Sequence, residues 1–313
     1  MSMDFELILK NGFAWRKEQR VWLYIFLLIV LGLGFLIASA FLVEEAISEF
    51  LAAYISSGDI ATAVFSLIGT IVLIILAFIG VAFIQSFIYT LILLKGMNFY
   101  KMKTISFGLI EFIKLLVLYF FSFIAATISY YNKKFLLFFV GLIAVWLFGF
   151  AALFVVPALG ALLMIVGIVL WIPYFFIILY NSFRLSMSPF VFLEQGNIFG
   201  SLKKSYEITA GKVIEIFLAI LIVSVIMGII VFIANQLGQA MLYAVFPELN
   251  GLQEMALQSE SNPLMVLGLI NSLLENAAEM IIVGGILSTI VNAIMNAFSA
   301  YSYAGIYFQV KKK

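Results

Sequence analysis

The stretch "VWLYIFLLIVLGLGFLIASAFLV", residues 21–43, runs for 23 positions without a charged side chain. A helix rises about 1.5 Å per residue and the hydrocarbon core of a bilayer is about 30 Å thick, so this run is long enough to cross it. Over the whole chain, 65% of residues are hydrophobic and 11% are charged, against about 45–50% and about 25% in soluble domains. The sequence therefore predicts an all-α, polytopic transmembrane helix bundle.

Seven apolar runs follow one another and predict the helices of an integral membrane protein. They cover residues 21–43, 64–94, 105–129, 135–156, 158–180, 213–234 and 281–307. Because no Pro-, Gly- or Ser-rich linker separates them, we expect a single integral membrane domain over residues 1–313.

The placement of charges predicts which loops share a side of the membrane. Lys and Arg residues cluster before the first run, at 95–103, in the segment 183–212 and at the C-terminus, whereas 44–63 and 235–280 hold acidic residues and no Lys or Arg. Basic loops stay in the cytoplasm. We therefore expect a multi-pass protein of the cell (cytoplasmic) membrane with both termini cytoplasmic. Residues 1–20 form a cytoplasmic or interfacial N-terminus, 183–212 a cytoplasmic amphipathic connector, and 235–280 an outward loop.

This charge pattern requires an even number of crossings, although seven runs are present, and we prefer six net crossings. One interpretation makes 105–129 re-entrant or interfacial, because it contains Glu111 and Lys114 and is followed by Lys133 and Lys134. The other lets Pro157 or Pro173 bend one helix that crosses once. The sequence leaves open which of the runs 105–129, 135–156 and 158–180 crosses.

The residue inventory excludes several kinds of chemistry. The chain has no Cys and no His, which removes thiolate nucleophiles, histidine bases and Cys/His zinc sites. Phosphate-binding and nucleophile-elbow motifs are also absent from the sequence, and a net charge of +1 predicts no nucleic-acid partner. We therefore expect no cofactor and no enzymatic activity. The least favoured hypothesis is an enzyme that uses Glu275 and Glu279, one helical turn apart.

The connector overlaps the stretch "FGSLKKSYEITAGKVIEIF", residues 199–217, in which Phe199, Leu202, Tyr206, Thr209 and Val213 recur at helical spacing. Its cations predict a contact surface for a membrane or cytoplasmic protein partner, or for anionic lipid headgroups. The residues of this predicted surface are Arg184, Lys203, Lys204 and Lys212. The alternative is a membrane-lying segment whose lysines only set topology.

A second group of polar residues lies inside the apolar runs. Asn292 and Asn296 are the deepest polar positions of the last run, and Gln85 and Thr90 in the second run are potential neighbours. Polar groups at membrane depth are costly unless they face protein or water. The pattern predicts either a polar midplane site for a substrate or ion, or interhelical hydrogen bonds.

Residues 172–217 resemble the membrane-domain family of bacterial glycerophosphoryl diester phosphodiesterases and related prokaryotic six-span proteins. The resemblance rests on "PFVFLEQG", residues 189–196, on the spacing of Ser201, Leu202, Ser205, Ile208 and Gly211, and on the closing "YSYAGIYFQVKKK". In the named members the phosphodiesterase activity belongs to a soluble barrel fused after the membrane part, which the residues here do not include. The resemblance thus implies a six-span membrane module without that activity.

Two functional hypotheses follow. The first is a non-enzymatic accessory or scaffold module of the cell envelope that uses the connector as its contact surface. The alternative is a transporter or lipid-handling protein that uses the polar midplane site.

Overall fold

The computed structural model describes residues 3–58, 60–247, 249 and 276–312, and in these residues the regular structure is helical with no strand. The predicted all-α class is confirmed. Within the same residues, seven helices are long and apolar enough to span a membrane. These seven helices correspond one to one with the seven apolar runs.

The helices of the described residues are numbered here in chain order. They are α1 Phe5–Gly12, α2 Gln19–Ser57, α3 Ile60–Phe99, α4 Leu109–Thr127, α5 Lys133–Val155, α6 Pro157–Leu185, α7 Ser188–Gln195, α8 Ile198–Ile208, α9 Val213–Val245 and α10 Ala277–Lys312, and a 3₁₀ turn, Ala14–Lys17, follows α1.

Helices continue beyond the apolar runs into both acidic segments. The acidic segment 44–63 is helical over most of its length, because α2 extends to Ser57 and α3 begins at Ile60. The predicted outward loop 235–280 is helical up to Val245 and again from Ala277. A helix can continue past the hydrocarbon core through polar residues. Hydropathy therefore locates the apolar part of each helix but not the polar turns that extend it. Residues 250–275 of this loop, with Glu275, lie outside the described residues.

The chain forms two compact units. The first unit comprises Met1–Asn11, Gly96–Ile222 and Ser302–Lys313, and the second comprises Gly12–Lys95 and Val223–Tyr301. Helices α3, α9 and α10 each contribute residues to both, and the single domain over residues 1–313 stays a prediction.

In the first unit, α5 and α6 pack as an antiparallel hairpin. The Asn132 side chain caps the start of α5 by accepting from the Lys134 and Phe135 backbone N–H groups, and Pro157 occupies the first turn of α6. Gly160 lies against the Leu153 backbone, and the Phe139 ring packs on Tyr174. The chain therefore reverses at residue 156. The alternative in which Pro157 bends a single crossing helix is wrong, whereas Pro173 lies within the continuous helix α6.

The connector consists of the end of α6, α7, α8 and the turn that leads into α9. Gly196 ends α7 with a φ of 72°, and Gly211 makes the turn before α9 with a φ of 74°, a left-handed conformation that glycine adopts without strain. The predicted helical face is partly wrong, because α8 ends at Ile208. Its buried side chains are Ser201, Leu202 and Ser205, whereas Phe199 is exposed.

In the second unit, small residues let the helices approach closely. A Cβ atom on Gly238 of α9 would lie 2.7 Å from the Gly284 carbonyl oxygen of α10, and one on Gly285 would lie 2.7 Å from Leu36 of α2. Membrane helices associate through such close contacts, since lipid tails already solvate apolar side chains. Gly238 and Gly285 therefore allow close approach of the helices, whereas a Cβ on Gly284 would meet nothing within 4 Å.

Candidate functional site

Residues of helices α2, α3 and α10 line a partly open cavity in the second unit, which has a volume of about 380 Å³. Small-molecule sites occupy roughly 300–1,000 Å³, so this volume suits a small ligand or part of a lipid. The polar cavity is lined by Leu28, Gly32, Phe35, Leu36, Ser39, Gln85, Thr289, Asn292, Ala293 and Asn296.

Three side-chain amides converge on this cavity, from Gln85 on α3 and from Asn292 and Asn296 on α10. Asn292 is exposed, and Gln85 and Asn296 are half-buried. Within the part of the chain that the structure describes, these three amides make no side-chain hydrogen bond. Their donors and acceptors are therefore available to whatever fills the cavity.

The two hydroxyl groups of the lining are already engaged. Ser39 Oγ donates to the Leu36 carbonyl at 3.0 Å, and Thr289 Oγ1 donates to the Gly285 carbonyl at 2.9 Å. A hydroxyl that donates to its own helix keeps an acceptor lone pair. These oxygens can therefore still accept a hydrogen bond from a ligand.

The cavity lies at mid-depth of its helices. Gln85 precedes Lys95 by ten residues and Gly32 follows Arg20 by twelve, which corresponds to about 15–18 Å of helix from these basic ends. Half of a hydrocarbon core about 30 Å thick is about 15 Å. An unpaired amide at this depth costs several kcal/mol in lipid, so we expect these groups to contact water or a polar ligand.

The cavity lining that the structure describes has no charged residue, and the described residues contain no cluster of three or more acidic side chains that could hold a metal ion. Neutral amides and hydroxyls bind uncharged hydrogen-bonding groups without the desolvation cost of burying an ion. The leucine and phenylalanine walls suit alkyl groups.

The structure brings together three of the four residues predicted for the midplane site, namely Gln85, Asn292 and Asn296. Thr90 does not line the cavity, because it is buried and donates to the Ser86 carbonyl at 2.8 Å. The contribution of α2 was missed. Its only signal was the three- and four-residue spacing of Gly32, Leu36 and Ser39, which puts them on one helical face.

The four cations predicted for the connector surface divide into two pairs. Arg184 lies 3.4 Å from the Tyr206 ring centroid and donates to the Tyr206 carbonyl, and Lys212 Nζ donates to the Val310 carbonyl at 2.6 Å. Lys203 is exposed and Lys204 is half-buried. Arg184 and Lys212 are thus bound to backbone carbonyl groups of the first unit, and Lys203 is the exposed cation of the four.

Of the carboxylate pair in the least favoured hypothesis, Glu279 lies in the first turn of α10, and Glu275 lies outside the described residues.

Comparison of the chain with protein-family models, with curated proteins and with solved structures finds no match. The resemblance to the phosphodiesterase membrane-domain family therefore stays a prediction.

Proposed function

We propose that this integral membrane protein binds an uncharged polar or amphipathic molecule in the polar cavity, as a transporter or a lipid-handling protein does. One observation carries the proposal. Three amides from two helices meet at mid-depth, line one cavity, and make no hydrogen bond among the described residues. If they only joined helices, they would be paired with each other or with backbone groups.

The lining specifies the class of ligand. Each amide supplies both donors and an acceptor, so the favoured ligand carries hydroxyl, amide or ether groups and no net charge. Leu28, Phe35 and Leu36 give the same cavity an apolar wall. A neutral lipid headgroup with its first methylene groups, or a small polyol, has this combination of properties.

Thermal unfolding of the detergent-purified protein tests this proposal with two probe classes, diacylglycerols with uncharged headgroups and free polyols. A ligand present at 100 times its Kd stabilises the native state by about 2.7 kcal/mol, and each kcal/mol raises the Tm of a chain this large by roughly 2–4 °C. We expect one class of probe to raise the Tm of the unaltered protein. The same class should not change the Tm of the Asn292→Leu/Asn296→Leu variant.

Asn235→Leu is the matched control, because Asn235 is an exposed amide of the second unit that does not line the cavity. It should keep the full ligand response. The binding proposal fails if the double variant loses Tm without ligand but retains the ligand-induced shift, since the amides would then act only in packing.

The second candidate is an accessory or scaffold module that contacts other envelope components through the connector. The exposure of Lys203 favours it, because this side chain makes no hydrogen bond or ion pair among the described residues. Under this hypothesis Lys203→Glu with Lys204→Glu removes a specific partner from a pull-down. An unchanged set of partners would count against the scaffold role.

A further inference from the structure

Helix α4, Leu109–Thr127, is the shortest of the seven candidate spans and is charged near its start. Glu111 and Lys114 form an ion pair of 3.9 Å within its first two turns. The remaining 13 residues, 115–127, span about 20 Å as a helix, whereas a crossing needs about 30 Å of uncharged length. Length and hydropathy place α4 among the seven candidate spans. Its contacts in the first unit indicate whether it crosses the membrane.

The beginning of α4 is fixed to the end of α7. The backbone N–H of Ile105 donates to the Leu193 carbonyl at 2.8 Å. The next residue, Glu194, accepts from Lys311 Nζ at 2.7 and 2.8 Å, and from the Tyr307 hydroxyl at 3.0 Å. The start of α4 therefore lies level with the last turns of α10.

The rest of α4 follows α8. The Phe121 ring lies 5.3 Å from that of Phe199 at the start of α8, and the Tyr131 ring, just after α4, stacks on Tyr206 near the end of α8 at 5.2 Å. Both ends of α4 thus contact the same connector.

The part of the connector from residue 194 to residue 212 begins and ends beside the same turn of α10. Glu194 contacts Lys311, and Lys212 contacts the carbonyl of the preceding residue, Val310. Both ends of the segment 194–212 therefore lie at the last turn of α10. A helix that runs beside this segment lies along one surface of the first unit, and a crossing helix would carry one of its ends to the far side.

We propose that α4 is a membrane-surface helix, whose outer face binds the lipid leaflet on the connector side and which does not cross the bilayer. Its inner face, with Phe112, Leu115 and Leu118, is buried against α6, α7 and α8. Its outer face exposes Ile110, Phe120 and Phe123 by 62–69%. This face is too apolar for water, and a surface helix immerses such a face about 5–10 Å into the leaflet.

The flanking charges support a leaflet as the occupant. Exposed lysines stand at both ends of α4, at 101 and 103 before it and at 133 and 134 after it. Lysines at both ends suit anionic headgroups of one leaflet and oppose translocation of either end. Without α4, six helices remain as crossings, which places both chain ends on one side. The hydrogen bonds that join Asp4 and Gln309 in the first unit agree with this count.

Single-cysteine labelling tests the proposal directly, because the chain has no native Cys. Lys103→Cys and Lys133→Cys place a thiol at each end of α4, Lys312→Cys marks the connector side, and Glu45→Cys marks the opposite side. An impermeant maleimide is applied to sealed vesicles of phosphatidylcholine and phosphatidylglycerol with the protein in one orientation. We expect Lys103→Cys and Lys133→Cys to label together with Lys312→Cys. Labelling of Lys133→Cys together with Glu45→Cys would overturn the proposal.

A depth measurement separates a surface helix from a re-entrant one. Val117→Cys, near the middle of α4, is labelled with a fluorophore in the same vesicles and quenched by lipids that carry a spin label either near the headgroup or near the chain end. We expect stronger quenching by the headgroup-proximal label. Stronger quenching by the chain-end label would overturn the surface assignment even if both ends label from one side.

Discussion

The α5–α6 hairpin makes a quantitative prediction at Gly160. A Cβ atom at this position would lie 2.4 Å from the Leu153 backbone nitrogen, 2.7 Å from the Leu153 Cα and 2.9 Å from the Ala152 carbonyl carbon. All three neighbours are backbone atoms that cannot rotate away. The Gly160→Ala side chain therefore forces α5 and α6 apart by roughly 1 Å before van der Waals contact is restored.

Overpacking of this kind costs about 1–3 kcal/mol, and the better helix propensity of alanine offsets up to about 1 kcal/mol. We expect a net loss of about 1–2 kcal/mol, which lowers the Tm by roughly 2–8 °C, measured by thermal unfolding in detergent. Gly141→Ala is the matched control, because Gly141 lies on α5 with nothing within 4 Å of its Cβ position. It should be neutral or slightly stabilising. Equal Tm values for the two variants would refute the close approach of the hairpin helices.

Three further predictions concern other contacts. Gly32→Ala should lower the Tm and Gly34→Ala should not, because a Cβ on Gly32 meets a threonine methyl group of α10 at 2.7 Å and one on Gly34 meets nothing within 4 Å; equal unfolding curves would contradict this. Glu194→Gln should cost about 1–2 kcal/mol in chemical unfolding, since it removes the charge that holds Lys311 Nζ at 2.7 Å, and no change would show that the contact is not stabilising. Burial of the hydroxyl group raises the pKa of Tyr100 to about 12. The folded state therefore favours the neutral phenol. The contribution of Tyr100 to stability is complete below pH 10 and is lost as the pH rises toward 12. Tyr100→Phe should weaken this alkaline loss of stability, and an unchanged profile of stability against pH would contradict the assignment.

Much of the fold could be predicted from the sequence because lipid imposes a simple constraint. Every backbone polar group in hydrocarbon needs an internal partner, so an uncharged run of sufficient length is a helix. The same constraint stops at the membrane surface. Residues 44–57 and 235–245 are polar or mixed and still helical, which hydropathy alone does not detect.

The candidate site was partly predictable for a related reason. Asn292, Asn296 and Gln85 stand out because amides are expensive in an apolar run, and the structure places all three at one cavity. Thr90 has the same polarity but satisfies its hydroxyl within its own helix, which spacing cannot distinguish. Gly32 and Phe35 of α2 resemble ordinary packing residues, so only tertiary structure assigns them to the cavity.

In the connector, the sequence does not show which cations are exposed. Arg184 and Lys212 were grouped with Lys203 and Lys204 because all four are cations in one polar segment. Backbone carbonyls of Tyr206 and Val310 accept from the first two, and the partner of such a contact is fixed by tertiary structure. Charge counting therefore identifies the cations of the segment but not which of them are bound to backbone carbonyl groups.

Thiol reactivity measures whether water enters the polar cavity at mid-depth. A maleimide reacts with the thiolate, which forms only where water reaches the sulfur. We predict that Asn292→Cys reacts with a small hydrophilic maleimide and that Ile229→Cys, an exposed apolar position in the middle of α9, does not. If both thiols are equally unreactive in the bilayer, the cavity is dry and the binding role is contradicted.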